Sequence, residues 1–155
     1  MTNNNSKSNP IKRWILITLS IILIGGLAWG ISWATYARPP LPEALAALES
    51  DDLVSVTEEP WLTFTPTGEI QAGLIYYPGG RIDPRGYSNM MRAIAEEGFL
   101  VVVPSMPINM AIFNTNAADK IITHFSEVKN WAIAGHSVGG VAAAMFTSRN
   151  PDLID

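Results

Sequence analysis

Residues Gly135-His136-Ser137-Val138-Gly139 spell G-x-S-x-G. A serine hydroxyl acts as a nucleophile when it is exposed, has a base to take its proton, and faces N–H donors where negative charge develops. A tight strand-to-helix turn supplies the exposure. It forces the serine into a strained backbone conformation and brings strand and helix so close that the flanking residues must be tiny. Gly135 and Gly139 meet that demand, and Gly140 adds clearance. Ser137 then lies at a helix N-terminus, where free N–H groups and the helix dipole favour negative charge. The Val138 N–H is the first expected oxyanion donor. The second is expected from the loop after a neighbouring strand. Pro78-Gly79-Gly80 is placed for it, because glycine permits close backbone approach.

The other candidates have simpler explanations. His136 is held beside Ser137, and adjacent residues at a tight turn diverge, so it is not expected to be the base. His124 falls at the margin of a helix whose apolar face is Ile121, Phe125 and Val128. Asp83 precedes Pro84 and reads as a helix cap, while Asp152 and Asp155 lie past the last helix with no histidine nearby. The glycines at 135–140 lack the Lys-Ser/Thr and the spacing of a phosphate loop. There are no cysteines, which excludes a disulfide framework, a thiolate nucleophile and cysteine-ligated zinc. No cofactor or metal set is read from the chain.

The elements that must position these residues alternate strand and helix. Val54–Val56 and Trp61–Thr65, separated by the break at Pro60, read as an antiparallel hairpin, and Pro66-Thr67-Gly68 as the turn after it. Ala72–Tyr77 is an apolar run ending at Pro78-Gly79-Gly80. A helix follows, with Met91, Ile94 and Ala95 on its apolar face and a stop at Gly98. Phe99–Val103 and Trp131–Ala134 are two further buried strands, separated by an apolar loop over 105–114 and a helix over 117–128. A helix of small residues runs over 138–149. This order implies parallel strands joined by crossover helices, with ligands at the strands' carboxyl ends. Both glycine motifs fall there. The apolar loop residues Met106, Ile108, Met110, Ile112 and Phe113 either pack on the core or wall a substrate pocket.

The N-terminus is of another kind. Residues 1–13 read as a disordered tail, and 14–36 as a membrane anchor. Trp14 to Trp33 carries no charge, long enough as a helix to span about 30 Å of hydrocarbon. Trp14, Trp29, Trp33 and Tyr36 sit where aromatic belts form. Lys7, Lys12 and Arg13 precede the segment, so the tail is expected in the cytoplasm and the domain outside. A cleaved signal peptide is the rival, with small-x-small sites ending at Ala34 and Ala37. Residues 37–52 read as a proline-stiffened linker with a short helix over 43–49, and 53–155 as the domain. All 14 acidic residues lie from Glu43 onward, which makes nucleic acid an unexpected partner.

The elbow Gly-His-Ser-Val-Gly-Gly resembles that of many esterases and lipases of the α/β-hydrolase fold. The chain is more closely similar to membrane-anchored hydrolases of the dienelactone-hydrolase-like group. Tyr77-Pro78-Gly79-Gly80, Pro84-Arg85-Gly86-Tyr87 and Val102-Val103-Pro104-Ser105-Met106-Pro107 carry that likeness. The resemblance implies the N-terminal half of an α/β-hydrolase sheet behind one transmembrane helix, with Ser137 hydrolysing a small ester-type acyl substrate. In that family an acid and then a histidine follow on later strands. Neither is present here, so the chain is expected to be truncated before them and inactive alone. The alternative expectation is a non-catalytic, membrane-anchored interaction module. Its open sheet edge at 131–134 would need cover.

Overall fold

The computed structural model describes residues 9–154, which form two compact units that divide after Thr35. The tail up to residue 8 and Asp155 lie outside the described residues. The first unit is helix α1 (Pro10–Thr35). Asn9 Oδ1 accepts the Ile11 N–H at 3.0 Å, and Pro10 fills the first helical position, so the start is capped. The helix thus begins before Trp14 and takes in residues 10–13. No side chain in it is buried, and it is long and apolar enough to cross a membrane.

The second unit holds helix α2 (Pro42–Ala46), strands β1 (Val54–Thr57), β2 (Leu62–Pro66) and β3 (Ala72–Tyr77), helix α3 (Ser88–Glu96), strand β4 (Phe99–Val103), helix α4 (Ala117–His124), strand β5 (Trp131–Gly135) and helix α5 (Val138–Arg149). The strands form one sheet in the order β1-β2-β4-β3-β5. The hairpin β1–β2 is antiparallel, with Val56 opposite Phe64, and β2 runs antiparallel to β4. From there the sheet is parallel, with Leu74 opposite Val101 in β4 and Ala132 in β5.

Alternation along the strands divides the core between two faces. Val101 and Val103 pack with Met91 and Ala95 of α3, while Leu100 and Val102 join Ile121 of α4, Phe146 of α5 and Trp131. One crossover helix therefore covers each side of β3. The chain leaves β3 toward β4, then returns past it to β5. That reversal makes the carboxyl end of β3 a topological switch point, where crevices open in parallel sheets.

Three elements differ from the sequence reading. Helix α4 stops at His124 instead of 128, because Phe125 turns out of it at φ −100° and ψ 54°. Val128 nevertheless stays buried through the turn that follows. The loop over 105–114 contains two single 3₁₀ turns, Pro107–Asn109 and Ala111–Asn114, with Met106 and Ala111 buried and Phe113 63% exposed. Strand β5 borders the described sheet, so only Trp131 among its residues is buried. Within the segment 37–52 the short helix spans Pro42–Ala46. Arg38 forms a parallel bridge with Ile82, and Ala44 and Ala47 are buried, which shows the short helix packed on the domain.

Candidate active site

Strand β5 delivers Gly135 to the turn, and α5 starts at Val138. Between them Ser137 has φ 52° and ψ −123°, a conformation that L side chains rarely adopt, and it is exposed. The cause is crowding. A Cβ on Gly135 would lie 2.5 Å from the Gly139 carbonyl carbon, and one on Gly139 would lie 2.5 Å from the Pro78 oxygen. Backbone hydrogen bonds hold the turn in place, from His136 N to Tyr77 O at 3.1 Å and from Gly139 N to His136 O at 2.8 Å. Strain at Ser137 is thus over-determined by its surroundings, the circumstance in which it persists.

The loop after β3 lies against this turn. A Cβ on Gly80 would come within 3.2 Å of Val138 Cγ1 and 2.8 Å of Met110 Sδ. The Gly79 N–H donates to Tyr87 Oη at 3.0 Å. Gly79 is therefore not free to meet an oxyanion, and its part is close packing beneath His136, whose Nδ1 would stand 2.5 Å from a Cβ there. Among the described residues neither the Gly80 nor the Val138 N–H meets a backbone acceptor. Arg81, at φ 59°, ties the loop outward. Its N–H donates to Asn109 O, and its carbonyl accepts from Arg38 N, each at 2.7 Å. Gly80 borders a cleft of about 380 Å³ shared with Tyr36, Arg38, Arg81 and Ile82.

The remaining candidates have structural partners. His136 Nδ1 lies 3.0 Å from Tyr87 Oη. The His124 ring stacks edge-on to Trp61 at 5.4 Å and Phe125 at 4.7 Å. Asp83 caps the 3₁₀ turn Pro84–Tyr87, accepting the Arg85 N–H at 3.0 Å and pairing with its guanidinium at 2.6 Å. That guanidinium, helped by the backbone N–H, holds the Asp83 carboxyl below the usual range. Among the described residues no side chain hydrogen-bonds the Ser137 hydroxyl, and none form a metal-binding cluster.

Tyr87 is the functional-site residue that the sequence does not announce. In the sequence it only ends a Pro-x-x-Tyr stretch, which assigns it no role. Its ring packs on Tyr76 at 5.0 Å, and burial raises its pKa, so the phenol stays protonated at neutral pH.

A mixed sheet switching at β3, with a strained strand-to-helix elbow beside a glycine loop, defines a hydrolase-type α/β domain. A family model described as the alpha/beta hydrolase family matches residues 73–155, more than half of the chain, and the chain belongs to that family. No curated protein matches it. Among solved structures it is similar to an esterase from Pyrobaculum calidifontis, at 21% identity and TM-score 0.52, covering 71% of this chain and 44% of that one. It is similar to a thermostable esterase from Pseudomonas putida, at 20% identity and TM-score 0.52, covering 71% and 43%. A hormone-sensitive lipase from a metagenome library matches at 15% identity and TM-score 0.51, covering 79% and 49%. The chain thus spans about half the length of these structures or less, and at such identities the likeness is one of fold.

Proposed function

We propose that this chain carries the nucleophile half of a membrane-anchored serine hydrolase that cleaves an ester-type acyl bond. The observation that carries the reading is Ser137 at φ 52°, an exposed hydroxyl on a turn where glycine would sit without strain. A purely structural turn has no use for serine there, whereas a nucleophile has. In the proposed reaction Ser137 Oγ attacks the acyl carbon and its proton passes to a base. The carbonyl oxygen becomes an oxyanion between the N–H groups of Val138 and Gly80, at the positive end of the α5 dipole. The alcohol leaves with a proton returned to it, and water then releases the acid.

Neither histidine of residues 9–154 suits the part of base, since His136 is turned to Tyr87 and His124 to Trp61. The base and its orienting acid are supplied from outside this stretch, in keeping with the length of the compared structures. Residues 14–36 cross the bilayer with the basic tail in the cytoplasm and the domain outside, and a small ester is the substrate.

The test is labelling with a fluorophosphonate. The chain as given is compared with one extended through the downstream reading frame, each beside its Ser137→Ala variant. The extended form is expected to label at Ser137. The shorter chain should label about a thousandfold or more slower, as removal of a triad base requires. A folded, extended form that does not label at Ser137 overturns the reading.

A further inference from the structure

The phenol of Tyr87 stands between two parts of the proposed site that are far apart in sequence. On one side it receives the Gly79 N–H at 3.0 Å, and on the other it lies 3.0 Å from His136 Nδ1. A phenol has one proton to give and lone pairs to receive. With the amide proton arriving at its oxygen, its own proton is left for His136 Nδ1, which then serves as acceptor. His136 is in turn pinned by its backbone to Tyr77 O and Gly139 N. The loop after β3 is thus fastened through Tyr87 to the residue preceding Ser137.

From this we infer that Tyr87 is a positioning residue. Its hydroxyl clamps the Gly79 peptide to the elbow and leaves the next amide, Gly80 N–H, as the loop's available oxyanion donor. The inference rests on the hydrolase reading for the use of that donor, but not for the clamp itself. The clamp has a foundation of its own. Asp83 caps the 3₁₀ turn that ends at Tyr87, and the buried Ser88 hydroxyl donates to Arg85 O at 2.8 Å.

Amide exchange and imidazole resonances of the full chain in detergent micelles test the clamp without any catalysis. In the unaltered chain the Gly79 amide should exchange about fivefold more slowly than that of Gly80, the factor that roughly 1 kcal/mol of one net hydrogen bond provides. In Tyr87→Phe that protection should vanish, while amides of β3 and β4 keep theirs, which shows that the fold is intact. The His136 Nδ1 resonance should carry the signature of a hydrogen-bonded acceptor and lose it in Tyr87→Phe, with His124 unchanged. A protected Gly80 beside a freely exchanging Gly79, a protonated Nδ1 at neutral pH, or an Nδ1 resonance identical in both forms would overturn the inference. Each is visible whether or not Ser137 proves reactive, so failure of the clamp is distinguishable from failure of the hydrolase reading.

Discussion

A Cβ on Gly139 would lie 2.5 Å from the carbonyl oxygen of Pro78, and closer still to that of Tyr77. Helix α5 therefore crosses the end of β3 at backbone contact, and nothing in the obstruction is a side chain that can swing away. Gly139→Ala must push helix and strand apart. We expect destabilisation at the upper end of the overpacking range, about 3 kcal/mol. Gly140→Ala, whose Cβ would meet the Gly135 oxygen at 3.1 Å, should cost much less. Urea midpoints of the two variants check the contrast, and equal midpoints would refute the close crossing.

Tyr77 predicts an alkaline transition. It is wholly buried, donates to Thr115 O at 2.8 Å and accepts the Ala118 N–H at 2.9 Å. Burial pushes its pKa up to about 12, against 10.0 for an ordinary tyrosine, the Ala118 N–H partly opposing the shift and Asp119 adding to it. The folded pKa is the higher one, so the stabilisation is whole below the unfolded value and is lost as pH rises through the folded one. Roughly 2–3 kcal/mol should disappear across this interval. Tyrosinate absorbance followed alongside unfolding should show one phenol ionising together with loss of structure. Tyr77→Phe should abolish that step and cost about 2 kcal/mol at neutral pH, since it strands a buried N–H and a carbonyl.

The parts of this architecture that are written locally were legible in the sequence. The apolar run 72–77 became β3 at those residues, the hairpin over 54–65 paired as expected, and Gly98 ends its helix at φ 92°. The elbow was legible because close approach admits only glycine on either side of the serine. What escaped was written across distance. Tyr87 and His136 are 49 residues apart, and Arg38 meets Ile82, so no spacing or periodicity announces either pair. The sequence overstates the length of helix α4 because Phe125 and Val128 keep its apolar period after the backbone has turned away. Gly73 reads as an ordinary strand residue. It is small because the Trp131 indole lies directly over it, with Cη2 2.7 Å from where a Cβ would be.

Acid should loosen the turn that carries Tyr87. The Asp83 carboxylate caps this turn, and Arg85 together with the backbone holds its pKa low. The folded pKa is the lower one, so the stabilisation is present above the ordinary carboxylate range and fades as pH falls through the depressed value. Asp83→Ala should therefore cost about 1 kcal/mol near pH 7, as loss of a cap does, and nothing at the acid end. Denaturant unfolding of both forms at neutral pH and well below the ordinary carboxylate range measures the difference. A cost that does not shrink in acid would show that the carboxylate charge is not what stabilises the turn.

Strain at Ser137 sets stability against chemistry at a single residue. Holding a non-glycine residue at φ 52° and ψ −123° costs on the order of 1–3 kcal/mol. Glycine relieves that strain but loses about 0.5–1 kcal/mol through the greater freedom of its unfolded chain. The strain is the larger quantity. Ser137→Gly should accordingly raise stability by about 1 kcal/mol, read as a higher denaturant midpoint with an unchanged slope. Ser137→Ala keeps a Cβ, keeps the strain, and should leave the midpoint where it is. Both variants lose the hydroxyl, so neither should label with the fluorophosphonate in the extended form. A Ser137→Gly variant less stable than the parent would mean that the turn is not strained. The backbone argument for a nucleophile at this position would then fall with it.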